Sequence, residues 1–87
     1  MTEASNDNDV VMIGAIENAL KAATKKTELS SPITMQSKMH SPSEWDSLSF
    51  VAIFMAVHEA FDLEPEDDDA IHFVSVEGIS GFLKEVL

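Results

Sequence analysis

Apolar positions along the chain recur at intervals of three and four, the period of helices, with hardly any strand-like alternation. Met12, Ile13, Ile16, Ala19, Leu20 and Ala23 set out a first helix over roughly 9–24, with N-cap candidates in Asn6-Asp7-Asn8-Asp9. Lys21, Lys25 and Lys26 fall in its last turn, where the macrodipole favours cations. Residues 27–44 carry Ser30-Ser31-Pro32 and Ser41-Pro42-Ser43 and predict a long irregular connection, tied to the core by Ile33 and Met35. A second helix has the clearest start: Asp46 as N-cap, Ser47 as first helical residue, and an end near Phe61. Trp45 before the cap and Phe50 after it fit a hydrophobic staple. Pro65 at a first-turn position, then Glu66-Asp67-Asp68, predicts a short third helix ending near Phe73. Ser75 caps a fourth helix with Val76, Ile79, Phe82, Leu83 and Val86 on one face, and its Gly78 and Gly81 suit the close approach of another element. The expectation is an all-α four-helix bundle, three longer helices and one short.

The second helix carries more apolar surface than a small bundle buries. Phe50, Phe54, Val57 and Phe61 predict one complete core stripe, and Leu48, Val51, Ala52 and Met55 a second, turned away from it. Two readings of the surplus stripe stand open: packing beneath the 27–44 connection, or an exposed partner-binding patch with adaptable Met55 in it.

Charge narrows the classes of function. Five lysines, no arginine and sixteen acids give −11, which excludes the basic footprint of a nucleic-acid binder. Residues 44–87 hold eleven of the acids against Lys84, so the acidic half suits basic partners through electrostatic steering. No cysteine is present, which excludes disulfides and thiolate metal sites. No apolar run approaches the ~20 residues of a membrane span, and the acidic start has the wrong chemistry for a signal peptide. The expected setting is cytoplasmic, with a flexible tail over 1–7 and a folded domain over 8–87.

Asp46-Ser47-Leu48 on the first turn of a helix resembles the phosphopantetheine attachment motif of acyl carrier proteins. The tripeptide alone is weak, but its surroundings strengthen it. Ser47 follows the first helix by about twenty residues. Downstream, Met55-Ala56, Glu59-Ala60-Phe61-Asp62, Glu66-Asp67-Asp68-Asp69-Ala70 and Val76 fall where that family places similar residues. The resemblance spans roughly residues 8–87 and implies an acyl-carrier-like bundle. It implies a 4'-phosphopantetheine arm on Ser47, added from coenzyme A by a phosphopantetheinyl transferase, whose thiol holds an acyl or aminoacyl group as a thioester. Asp46 would fix the helix entrance and help the transferase recognise it, with the phosphodiester near free first-turn N–H groups. Leu48, Val51, Ala52, Met55 and Glu59 would meet partners: a loading enzyme and a downstream synthase or transferase. The carrier would be a stand-alone monomer and itself no enzyme. Glu44-Trp45 before the motif, and Ala52 and His58 at commonly acidic places, look more like carriers of specialised lipid, polyketide or peptide-type pathways than the housekeeping fatty-acid carriers. Aromatic bulk at Phe54, Phe61, Phe73 and Phe82 would narrow any cargo cavity in the core, favouring short or polar cargo.

Other chemistries fit less well. A hydrolase using Ser47 needs a base within hydrogen-bond reach, and His58 lies about 16 Å along the same helix. Glu64, Glu66 and Asp68 alternate like calcium ligands, but Asp69 and Ser75 stand where such a loop needs glycine and glutamate. The three histidines are too scattered for a metal cluster and read as surface or interfacial residues. The remaining alternative is an acidic helical adaptor without a prosthetic group, gripping a partner helix through Leu48–Met55.

Overall fold

The structure is a computed structural model that describes residues 6–87. Among the described residues it is all-α: α1 (Asn6–Thr24), α2 (Ser47–Ala60), a 3₁₀ helix (Asp67–His72) and α3 (Val76–Val86). None of these helices is long and apolar enough to cross a membrane. α1 packs chiefly on α2, while α3 packs on the 3₁₀ helix and on α1. Met12, Ile16, Leu20, Trp45, Ile53, Val57, Phe73, Val76 and Ile79 are fully buried between them. Each such side chain contributes roughly 1.5–3 kcal/mol relative to exposure.

Boundaries differ from the expectation at three places. Asn6 and Asp7, assigned to a tail over 1–7, are already helical, and the rest of that tail lies outside the described residues. Asn6–Asp9 are therefore helix, not caps. The short third helix is 3₁₀ rather than α, capped by Glu66, so Pro65 lies just outside it. In its capping box Glu66 and Asp69 each accept from the other's backbone N–H. The start of α2, with Asp46 as N-cap, and the start of α3 at Ser75 fall where the caps put them.

Two helices end the same way, each on a non-glycine residue in the left-handed region. Lys25 (φ 60°) follows α1 and Asp62 (φ 57°) follows α2. The next N–H then reaches back across the turn: Lys26 to Lys21 O at 3.1 Å, Leu63 to His58 O at 2.8 Å. Consequently only Lys21 lies in the last turn of α1, with Lys25 and Lys26 beyond it.

The long connection is irregular but knitted down. Met39 N–H donates to Val74 O at 2.8 Å and Val76 N–H to Ser37 O at 2.9 Å, which ties the loop to the entrance of α3. Lys38 forms isolated bridges with Ser41 and Ser75, and the Ser41–Pro42 peptide is cis. Ile33 is buried, as the pattern required, and Met35 is half-buried.

The core face of α2 is not the aromatic line. Ser49, Ile53, Val57 and His58 are its buried residues, while Phe50, Phe54 and Phe61 are only half-buried. The two glycines of α3 also differ. A Cβ on Gly78 would stand 2.7 Å from the His72 carbonyl oxygen, whereas one on Gly81 meets nothing within 4 Å. Only Gly78 serves a close approach. Gly81→Ala should therefore stabilise the protein by up to about 1 kcal/mol through helix propensity. Gly78→Ala should destabilise it by about 1–3 kcal/mol, because backbone must move. Urea unfolding of both variants checks the opposite signs.

Candidate functional site

The segment entering α2 sends three consecutive side chains in three directions. Glu44 turns back to the long connection, Trp45 is fully buried, and Asp46 folds over the helix end. Asp46 Oδ1 accepts from Leu48 N–H at 3.0 Å and Ser49 N–H at 2.9 Å. These bonds, the Ser49 N–H foremost, hold its carboxyl below the usual carboxylate range. Ser49 is buried, and its hydroxyl donates to Glu44 O at 2.6 Å. Trp45 O accepts from His40 N–H at 2.7 Å, although among the described residues the buried indole N–H has no partner.

Glu44 is the strongest polar anchor. Its side chain is only 2% exposed and accepts from Ser30 Oγ at 2.8 Å, Ser30 N–H at 2.9 Å and Lys26 Nζ at 3.0 Å. The Ser30 hydroxyl, then the Lys26 ammonium, hold its pKa down at about 2 against an ordinary 4.5. This carboxylate joins the end of α1, the long connection and the approach to α2 in one knot. Nothing in the sequence marks this role, since a lone glutamate carries no signal of burial.

Ser47 is exposed at the first position of α2, and among the described residues no hydrogen bond engages its hydroxyl. The first-turn N–H groups are less open than expected: Asp46 already takes those of Leu48 and Ser49. An anion on Ser47 would thus sit beside a carboxylate rather than in a cradle of unpaired donors.

From Ser47 an apolar strip runs along the solvent side of α2, with Leu48 84%, Val51 59% and Met55 50% exposed. The reading that packed this strip beneath the long connection is corrected; the connection folds elsewhere, through Ile33 and the buried Glu44. Ala52, assigned to the same strip, is half-buried against the core, and Glu59 is exposed one turn beyond Met55. Met55 and Glu59, with His58, Leu63 and Pro65, line a shallow cleft of about 290 Å³.

His58 corrects a second expectation, because it is buried and not a surface residue. Its ring nitrogens are engaged by Phe54 O at 2.7 Å and Asp69 Oδ2 at 2.9 Å, well away from Ser47. The i, i+4 spacing of Phe54 and His58 was the available signal; the polarity of histidine hid it. Among the described residues no group of three or more His, Asp or Glu is placed to hold a metal ion. A scan against protein-family models and searches of curated proteins and of solved structures return no match.

The pKa of Glu44 sets an acid response. A carboxyl with a folded pKa of about 2 against an ordinary 4.5 stabilises the fold above pH 4.5, and that share is lost as pH falls toward 2. Glu44→Gln should therefore be less stable at pH 7, with a shallower loss of stability across that window. Urea unfolding at pH 7, 4 and 2.5 measures both slopes.

Proposed function

We propose that the protein is an acyl carrier that bears a 4'-phosphopantetheine arm on Ser47 and presents acyl or aminoacyl cargo to partner enzymes. The observation that carries the reading is Ser47 itself: an exposed hydroxyl on the first residue of a capped helix, with an unburied apolar strip starting beside it. The residues fit the group, since a covalent link through Ser47 Oγ needs an accessible hydroxyl and no pocket. When bound, the arm supplies a terminal thiol that holds cargo as a thioester, in a chain with no cysteine of its own. Asp46 fixes the helix entrance and Glu44 and Trp45 hold the approach to it, so Ser47 is offered in a set orientation. Leu48, Val51 and Met55 form the surface for the phosphopantetheinyl transferase, the loading enzyme and the downstream synthase or transferase, with Ala52 at its edge. The acidic half of the chain steers basic partners to that surface. The protein performs no catalysis in this reading.

Its interior favours short or polar cargo. Phe54 and Phe73 rings lie 5.1 Å apart, Phe73 and Phe82 5.6 Å, and the His58 ring stacks on Phe73 at 5.2 Å. Phe61 stands outside this cluster, half-buried. The pathway proposed is a specialised one, because the solvent face of α2 presents Leu48, Val51 and Met55 with Glu59 as the helix's one acid. The same strip suits an adaptor that grips a partner helix without a prosthetic group, and the first experiment separates the two.

Incubation with coenzyme A, Mg²⁺ and a broad-specificity transferase should add one group of about 340 Da by intact mass. Ser47→Ala should gain no mass and keep its stability within about 0.5 kcal/mol, as exposed substitutions do. An unmodified wild type supports the adaptor; a modified Ser47→Ala places the arm elsewhere.

Partner affinity should rest more on the strip than on single charges. Burying Met55 contributes roughly 1.5–3 kcal/mol, whereas an exposed ion pair contributes about 0–1 kcal/mol and is screened by salt. Met55→Ala should weaken transferase binding about tenfold or more, and Glu59→Gln less than about fivefold. Titration calorimetry at low and high salt should show the gap persisting.

A further inference from the structure

His58 is a titratable ring enclosed in an aromatic box, 1% exposed, with Phe54, Phe73 and Phe82 centroids at 4.5, 5.2 and 5.7 Å. Both of its nitrogens face oxygens: Nδ1 the Phe54 carbonyl at 2.7 Å, Nε2 the Asp69 carboxylate at 2.9 Å. A carbonyl oxygen only accepts, and so does an ionised carboxylate, so both contacts are hydrogen bonds only when each ring nitrogen carries a proton. Shifting the shared proton onto Asp69 leaves the count unchanged. In either form the pair holds one proton more than a neutral ring beside a carboxylate. Without that proton, a buried nitrogen lone pair faces an oxygen across a hydrogen-bond distance, and a buried polar group loses its partner.

Asp69 belongs to the 3₁₀ helix, and none of that helix's own residues is buried. Its C-terminal end is anchored by the next residue, buried Phe73. Its N-terminal end is held by the capping box, in which Asp69 Oδ2 accepts from Glu66 N–H at 3.3 Å, and by His58. We propose that His58 and Asp69 form a proton-dependent latch that holds the N-terminal half of the 3₁₀ helix on α2. Loss of the shared proton leaves one ring nitrogen without its hydrogen bond and opens the latch.

Glu59 lines a cleft with His58, Glu64 and Glu66 line one with Asp69, and the 3₁₀ helix also carries Asp67, Asp68 and His72. His72 stacks on Phe82 at 5.3 Å. α3 turns Phe82 to the ring and carries its own ionisable groups, Glu77, Lys84 and Glu85, at exposed positions. On α1, Asp9 accepts from Ser80, and neither Glu17 nor Lys21 is hydrogen-bonded to the pair. His72 is thus the one other imidazole in the same segment, and the test removes it.

In the full chain carrying His72→Gln, nitrogen NMR of the imidazole rings and backbone amides from pH 5 to 9 reads both halves of the latch. At the acid end the pair should hold two protons, both on the His58 ring or one of them on Asp69, read from the ring nitrogens together with the Asp69 carboxyl carbon. As it loses one, the amides of 67–70 should shift with the same midpoint, and their exchange, corrected for intrinsic rate, should rise about fivefold or more. Adding Asp69→Asn should abolish the segment's response while His58 still titrates, because the amide of asparagine can donate to a neutral ring. Should that variant not fold, the midpoints in His72→Gln alone decide. A pair that loses no proton between pH 5 and 9, unequal midpoints, or a response unchanged by Asp69→Asn overturns the proposal. None of these readouts involves Ser47, so the latch and the carrier reading stand or fall separately.

Discussion

A carboxylate buried as deeply as that of Glu44 stays charged only if donors surround it, and meeting that demand shapes the approach to α2. The donors come from Lys26 and both polar groups of Ser30, so the chain after α1 must fold back toward residue 44. That return closes the long connection. It leaves Trp45 in the core and Asp46 over the end of α2, where it takes two first-turn N–H groups. Ser47, the next residue, then has nowhere to go but the surface. The exposure of the one residue on which the proposed function rests thus follows from a buried charge three positions earlier.

The same helix divides into two faces of unlike character. Inward it places Ser49, Ile53, Val57 and His58, two of them polar and each bonded: Ser49 to Glu44 O, His58 to Phe54 O and Asp69. Outward it places Leu48, Val51 and Met55, which the small bundle leaves uncovered. Polar groups inside and apolar groups outside invert the usual pattern. The inside polar groups are satisfied by bonds, and the outside apolar ones suit contact with partners.

This inversion explains what the sequence made legible. Caps could be read directly, because Asp46 and Ser75 are chemically suited to helix starts and the turn geometry needs little else. The outer strip was legible too, as an excess of apolar positions. The inner face was not. Leu48, Phe50, Val51, Ala52, Ile53, Phe54, Met55, Ala56 and Val57 make α2 apolar nearly all round, so spacing alone could not choose which line is buried. The large aromatics drew the expectation to Phe50, Phe54 and Phe61 beside Val57; the structure buries Val57 as expected but sets the smaller Ile53 inside with it and leaves the three rings half-buried. Glu44 and the His58–Asp69 pair lay beyond reach for a related reason: their partners stand 14, 18 and 11 residues away, and polarity predicts exposure until a partner is known. At the glycine pair, identical residues three apart carry different constraints, set by where the His72 carbonyl happens to pass.

The buried Glu44 knot holds the entrance of α2, and through it the setting of Ser47. Amide hydrogen exchange at Leu48 and Ser49, followed at neutral pH in the wild type and in Glu44→Gln, measures that hold. First-turn N–H groups ordinarily lack intrahelical partners. Here they should be protected by Asp46, and losing the knot should speed their exchange about tenfold or more while Ile16 and Ile79 stay protected. Rapid exchange at Leu48 and Ser49 in the wild type, or protection untouched by Glu44→Gln, would mean that the knot does not set the helix entrance.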